Sequence, residues 1–214
     1  MDTKNLPILD AAQIRVLGAL MEKSKTTPDY YPMTLNGLAA ACNQKTSRKP
    51  VVQYDDSTIS TALNALKIAG LISTATGGSI RNIKYKHNFA IVFTVLPSEV
   101  AVMCLLFLRG PQTPGEINTN SGRLYEFETL EEVSQTLEKL ASEGYIKQLP
   151  KRPGQKEQRY MHLFAGDDET FEEEYIADEA PKNNNELEER LTKVEEELAE
   201  LKTNFDKLMK ELMG

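Results

Sequence analysis

Length, composition and charge limit the classes of protein to which this chain can belong. With 214 residues and 40% hydrophobic side chains it can form one or two small domains, and no apolar run is long enough to span a membrane. The two cysteines, Cys42 and Cys104, form no Cys-x-x-Cys pair, which favours buried thiols over a disulfide or a metal site.

The net charge of -7 is unevenly distributed along the chain. Residues 1–96 carry 11 basic and 6 acidic side chains, net +5, and residues 97–165 carry 8 and 9, net -1. The remaining acidity lies in residues 166–185, net -7, and residues 186–214, net -4. A basic first part keeps nucleic acid open as a partner. The N-terminus lacks the basic start and apolar core of a secretory signal, so we expect a cytoplasmic protein.

Two helices are predicted before residue 43. Asp10 caps the first, which ends near Lys25, and Thr34 caps a short second helix that runs through Cys42. The connection that follows, NQKTSRKPVVQY, is long and basic. It is predicted either to contact phosphate or to be a solvated surface loop. Its candidate phosphate contacts are Lys45, Arg48 and Lys49.

The next helix is the strongest candidate for a functional element. It begins at Asp55 or Asp56, its apolar residues recur at helical spacing, and Gly70 stands where a left-handed C-terminal cap belongs. The opposite face has no glutamate and could approach a polyanion. That face carries Ser57, Thr58, Ser60, Thr61, Asn64 and Lys67.

A basic hairpin follows this helix. Strands are predicted over 71–75 and 81–89 around a Gly-Gly turn, and the second strand carries Arg81, Lys84 and Lys86. Helix, strand and basic hairpin in this order indicate a winged helix-turn-helix, in which a recognition helix enters the major groove and a wing holds flanking phosphates. Asn64 could pair with adenine, but the helix lacks arginine, so the commonest guanine contact is missing.

The same elements recur later in the chain. Ile59 aligns with Val133 and Gly70 with Gly144 without a gap, and after a single insertion in the wing the Tyr-x-His-x-Phe tail starting at Tyr85 aligns with a second copy. This indicates an internal duplication. We therefore predict a mainly α fold with small β-hairpins, of class α+β, containing two tandem winged helix-turn-helix domains. Their bounds are residues 1–89 and 98–165, joined by a connection at 90–97 that either extends the wing strand or packs between the domains.

The second predicted domain differs from the first in charge. Ser98 is predicted to cap its first helix, Thr113-Pro114-Gly115-Glu116 is a capping box, and the helix over 130–143 exposes glutamates that should repel phosphate. Its wing, PKRPGQKEQRY, is basic and is predicted either to contact DNA or to serve solubility alone. The basic residues of this wing are Lys151, Arg152, Lys156 and Arg159.

Two further segments complete the chain. Residues 166–185 form an acidic linker, or alternatively an arm that competes with DNA for the basic wings. Residues 186–214 carry a heptad repeat that predicts a coiled-coil helix and a parallel homodimer, the alternative being an amphipathic helix folded back on a domain. The seam consists of Leu187, Leu191, Val194, Leu198, Leu201, Phe205, Leu208 and Leu212.

No sequence pattern points to an enzyme. The chain lacks a nucleophile elbow, a phosphate-binding loop and a metal-spaced Cys/His set, so no cofactor or metal is expected. The two histidines, His87 and His162, fall on equivalent wing strands, where a structural imidazole is the favoured role.

Residues 7–165 resemble the YceH-like family of uncharacterised bacterial proteins. The stretches that carry the resemblance are YYPMTLNGLAAACNQKTSRKPV, LKIAGLI, RGPQTPGEI and LPKRPGQKEQRYMHLF. The resemblance implies tandem winged-helix modules and no settled biochemical role, and it does not extend to the predicted coiled coil.

Two functions are consistent with the residues. The first is a dimeric protein that binds double-stranded DNA through the third helix and wing of the first domain, with transcriptional regulation as a role open to it. The second is a winged-helix adaptor that binds a protein partner through its acidic second domain and does not contact DNA.

Overall fold

The protein has a mixed α+β architecture. A computed structural model describes residues 6–76, 83–151 and 157–166, together with Lys193 and Lys202. These residues contain seven α-helices and two antiparallel sheets of two strands each. None of the described helices combines the length and the apolar character needed to cross a membrane.

The first half of the described chain contains three helices and a hairpin. The elements are α1 (Ala11–Thr26), a 3-10 turn (Pro28–Tyr30), α2 (Leu35–Cys42), α3 (Asp56–Ile68), β1 (Ile72–Thr76) and β2 (Ile83–His87). Each α-helix begins where a side chain accepts a hydrogen bond from a free N–H of the first turn, at Asp10, Thr34 and Asp55. The three predicted helix starts are therefore confirmed.

The second half repeats this order after a short additional helix. Its elements are α4 (Phe89–Phe93), α5 (Pro97–Arg109), α6 (Pro114–Ser121), α7 (Leu130–Ser142), β3 (Ile146–Gln148) and β4 (Tyr160–His162). The capping box is confirmed, because Thr113 Oγ1 accepts from the N–H of Glu116 and the Glu116 carboxylate accepts from the N–H of Thr113.

One of the two alternatives for residues 90–97 and one predicted helix cap are wrong. The segment after Phe89 does not extend the wing strand but forms α4, because Phe89 and Phe93 turn inward onto Phe164. The alternative prediction, that residues 90–97 pack between the two domains, stays a prediction: Phe93 and Val95 pack on the core, while Ile91 and Leu96 are more than half exposed. Ser98 does not cap α5 either, because Pro97 occupies the first helical position and the Glu99 carboxylate accepts from the N–H of Leu96.

The two halves share details of backbone pairing. A single bridge joins Met33 to Tyr85 in the first half and Gln112 to Tyr160 in the second, so each hairpin pairs with the segment before its second helix. Within the hairpins, Ile72 faces His87 and Ile146 faces His162. Gly70 and Gly144 both have a φ above 70°, the left-handed conformation predicted for these caps.

The two halves also share one continuous hydrophobic core. Residues 6–166 belong to one compact unit, in which α1 packs against α5. Gly18 allows this close approach, because a Cβ atom at that position would lie 3.0 Å from the Cβ of Phe107. Phe107 and Phe89 in turn form an aromatic cluster with Phe164. The first half is thus held against the second by the packing of α1 on α5.

Candidate nucleic-acid interface

α3 presents the polar face that the sequence predicts. Ile59, Leu63 and Leu66 are at most 2% exposed and fix the orientation of the helix on the core. Along the opposite face, Ser57, Thr61, Asn64 and Lys67 are exposed, and Thr58 and Ser60 are partly exposed. We call these six residues the α3 ridge. Within the described part of the chain the α3 ridge is open to solvent.

Hydrogen bonds constrain the first turns of the α3 ridge. Ser57 Oγ donates to the Asp55 carboxylate over 3.0 Å, and Thr61 Oγ1 donates to the carbonyl oxygen of Ser57 over 3.0 Å. Hydrogen bonds from Thr58 lower the pKa of Asp55 and keep it ionised as the N-terminal cap. The Asn64 side chain makes no hydrogen bond to any described residue.

The hairpin carries two of its three predicted cations within the described residues. Lys84 and Lys86 stand on β2, opposite Ala75 and Ser73 of β1. Since side chains alternate along a strand, the two lysines share one face, and Tyr85 between them points to the other. Tyr85 pairs with Met33. Arg81 lies outside the described residues.

The connection between α2 and α3 is anchored by Arg48, whose predicted role as a phosphate contact is wrong. The Arg48 side chain is fully buried, and its guanidinium donates to both carboxylate oxygens of Glu22, over 3.0 and 2.6 Å. It also donates to the carbonyl oxygens of Ala41 and Ser47. Arg48 therefore holds the loop to α1 and cannot contact phosphate. Lys45 is exposed, while Lys49 is partly buried and bonds through its N–H to the carbonyl of Leu108.

The sequence did not reveal Glu22 as the partner of this arginine. Burial raises the pKa of the Glu22 carboxyl, but the hydrogen bond and charge of Arg48, with a smaller contribution from Lys23, outweigh burial and leave it below its usual value. The only sequence signal is one acidic residue beside the apolar stripe of α1. This signal does not identify an arginine in the loop that follows α2.

The second half presents a different surface. On α7, Glu131, Gln135 and Glu138 are exposed, and Lys139 is bonded to the buried carboxylate of Glu99 over 2.5 Å. An acidic face is confirmed for this helix. In the order of elements, α7 corresponds to α3 of the first half.

The basic residues of the second hairpin do not act as one group. Arg159 donates to both carboxylate oxygens of Glu116, over 2.7 and 3.0 Å, and to the carbonyl of Pro111. This arginine ties the hairpin to α6, and its role as a phosphate contact stays a prediction. Lys151 is exposed. Arg152 and Lys156 lie outside the described residues.

Both histidines have a structural environment. Burial lowers the pKa of His87 to about 4, with a smaller effect from Lys25, and burial lowers the pKa of His162 to about 4. The ring of His87 lies 3.2 Å from Ser24 Oγ, and the ring of His162 packs edge-on against Phe107. Both imidazoles are therefore neutral at pH 7.

The thiols are buried as predicted, and burial raises the pKa of Cys42 to about 12. In the described ranges no three His, Cys, Asp or Glu side chains are grouped to hold a metal ion. The eight predicted seam residues between Leu187 and Leu212 lie outside the described residues. The homodimer accordingly stays a prediction from the heptad repeat.

Comparison with known proteins agrees with the resemblance found in the sequence. The family model described as "Protein of unknown function, DUF480" matches residues 9–155. A UPF0502 protein of Solibacter usitatus is 49% identical over 92% of this chain and 95% of its own length. The UPF0502 protein YceH of Escherichia fergusonii is 41% identical over 95% of this chain and 97% of its own length. This coverage extends the similarity past residue 165.

Proposed function

We propose that this chain, which belongs to the DUF480 family of YceH-like UPF0502 proteins, binds duplex DNA. The names of these proteins state no activity, so the proposal is drawn from the surface of the molecule. In this proposal both halves are winged helix-turn-helix modules. Support comes from the order of three helices and a hairpin, and from the bridges of Tyr85 and Tyr160, which join each hairpin to the segment before the second helix of its half.

The observation that carries the proposal is the contrast between α3 and α7. In the gapless alignment of the two helices, Ser57, Thr61 and Asn64 correspond to Glu131, Gln135 and Glu138. The cores beneath these positions are alike, so packing does not require the difference. The six positions of the α3 ridge have no carboxylate that would repel phosphate, whereas three of the corresponding positions of α7 are glutamates, Glu131, Glu132 and Glu138.

The remaining charges set how the complex would form. Asp56 in the first turn of α3 repels phosphate, so the middle turns of the helix face the major groove. Lys67 in the last turn and Lys84 and Lys86 on β2 then contact the backbone. With Lys45, these residues give about four phosphate contacts. Such a count predicts that affinity falls about 100-fold between 50 and 200 mM salt.

A fluorescence polarisation titration of the full chain against a random-sequence duplex tests this proposal. Binding that weakens steeply with salt is expected. The variant with Lys67→Gln, Lys84→Gln and Lys86→Gln should reduce the log–log salt slope by about 2 to 3, since each lost phosphate contact removes about 0.9. Arg123→Gln, at an exposed cation of the second half, is the matched control and should leave the slope unchanged.

A protein-interaction adaptor is the second candidate, and the exposed acidic face of α7 favours it. Glu131 and Glu138 would attract a basic partner without help from α3. The same titration separates the two functions. Non-specific DNA binding normally has a dissociation constant below about 100 μM. If the chain does not bind duplex in this range at low salt, DNA is excluded as a partner and the adaptor function is supported.

A further inference from the structure

The α3 ridge contains a single amide side chain, Asn64. Asn64 is exposed, lies in the third turn of α3, and makes no hydrogen bond to the described residues. Its amide presents one donor and one acceptor together, which matches the N6 donor and N7 acceptor of adenine in the major groove.

The neighbouring hydroxyls are less available for reading bases. Ser57 donates its proton to Asp55, and Thr61 donates its proton to the carbonyl of Ser57. Because Thr61 Oγ1 is engaged in this hydrogen bond, the γ-methyl group is the part of this exposed side chain that is left to contact a base. Thr61 lies three residues before Asn64, so the two side chains are neighbours on the helix surface. A methyl group beside an amide suits a thymine next to an adenine.

The charged side chains of α3 do not provide an alternative base contact near Asn64. Lys67 lies in the last turn, where a cation contacts the backbone in the proposed orientation. Asp56 could accept a hydrogen bond from cytosine, but it lies in the first turn, eight residues before Asn64 and more than two turns away.

We propose that Asn64, flanked by the Thr61 methyl group, makes the protein prefer A·T base pairs, which it reads from the major groove. This inference rests on the proposed DNA-binding function and names the class of duplex that the α3 ridge recognises. One bidentate contact corresponds to a preference of about 5- to 150-fold over a G·C pair.

A competition experiment with three duplexes of equal length tests the inference on the full chain. The duplexes contain only A·T, only G·C, or only I·C pairs, where I denotes the base hypoxanthine. Hypoxanthine presents O6 and N7 in the major groove, as guanine does, but lacks the 2-amino group, so the minor groove of I·C resembles that of A·T. Binding should be tightest to A·T, and I·C should behave like G·C. Asn64→Ala should abolish the preference without changing the salt slope, because no charge is removed.

The exposed position of Asn64 means that the alanine variant should fold normally, and alanine has the higher helix propensity. Gln135→Ala, an exposed amide on α7, is the matched control and should retain the A·T preference. Equal binding to all three duplexes, a preference that survives Asn64→Ala, or I·C binding as tightly as A·T would each overturn the inference while leaving DNA binding in place. A wild-type chain that binds none of the duplexes at low salt would instead remove the proposed function itself.

Discussion

The ion pair between Glu22 and Arg48 allows a quantitative test of how the loop before α3 is held. The Arg48 side chain is fully buried and that of Glu22 is 14% exposed, with the closest N–O distance 2.6 Å. Removing one partner of a buried pair leaves an uncompensated charge and costs about 3 to 5 kcal/mol. Arg48 keeps its hydrogen bonds to the Ala41 and Ser47 carbonyls, so we take the lower end of this range.

Glu22→Gln should therefore lower the free energy of unfolding by about 3 kcal/mol, which corresponds to a fall in Tm of about 6 to 12 °C for a chain of this size. Urea unfolding followed by circular dichroism measures the loss. Arg48→Met and the double variant complete a thermodynamic cycle, and the double variant should lose at least about 1 kcal/mol less than the sum of the single losses. Glu131→Gln, at an exposed carboxylate of α7, should change stability by less than about 0.5 kcal/mol.

The pH dependence of this pair has a definite sign. The folded pKa of Glu22 is lowered, so its contribution to stability is present above its ordinary pKa of 4.5 and is lost as the pH falls through the lowered value. The wild-type chain should lose this contribution on acidification, and Glu22→Gln should not. If Glu22→Gln at pH 7 cost no more than an ordinary surface substitution, about 0.5 kcal/mol, and the single variants were additive, the assigned role of the pair would be refuted.

Three further variants probe the core, the histidines and the helix cap. Gly18→Val should cost about 2 to 3 kcal/mol in urea unfolding, because its side chain would meet the Cβ of Phe107; an unchanged midpoint would contradict the packing of α1 on α5. His87 and His162 have folded pKa values of about 4, so the unfolded chain binds more protons between pH 6.5 and 4, and stability should fall by about 2 kcal/mol per imidazole from pH 7 to 5. His87→Gln should reduce that fall, and an identical pH profile would argue against a buried neutral imidazole. Gly70→Ala should cost about 1 to 2 kcal/mol in the same assay because φ is +73°, whereas Gly122→Ala, also unobstructed but at φ -52°, should be neutral; equal effects would contradict the left-handed cap.

Local signals in the sequence predicted much of the fold. Helix starts at Asp10, Thr34, Asp55 and Thr113 depend on hydrogen bonds within three residues, so the sequence near each start determines them. The matched hairpins also followed from periodicity and from the spacing of the Tyr-x-His-x-Phe tail.

Contacts between distant residues could not be predicted in this way. Arg48 and Arg159 both appeared as surface cations in basic loops, yet each is bound by a glutamate from an earlier helix, Glu22 of α1 and Glu116 of α6. Phe89 appeared to be the end of a strand, but the aromatic cluster around Phe164 turns the segment after it into α4. Tertiary packing overrides local propensity at these positions.

The location of the DNA contact is the central claim, and amide NMR shifts measured while a duplex is titrated into the full chain test it most directly. We predict that the largest shifts fall on the α3 ridge between Ser57 and Lys67 and on Lys84 to Lys86 of β2, with small shifts on α7. Shifts concentrated on α7, or none in either helix at excess duplex, would contradict the account.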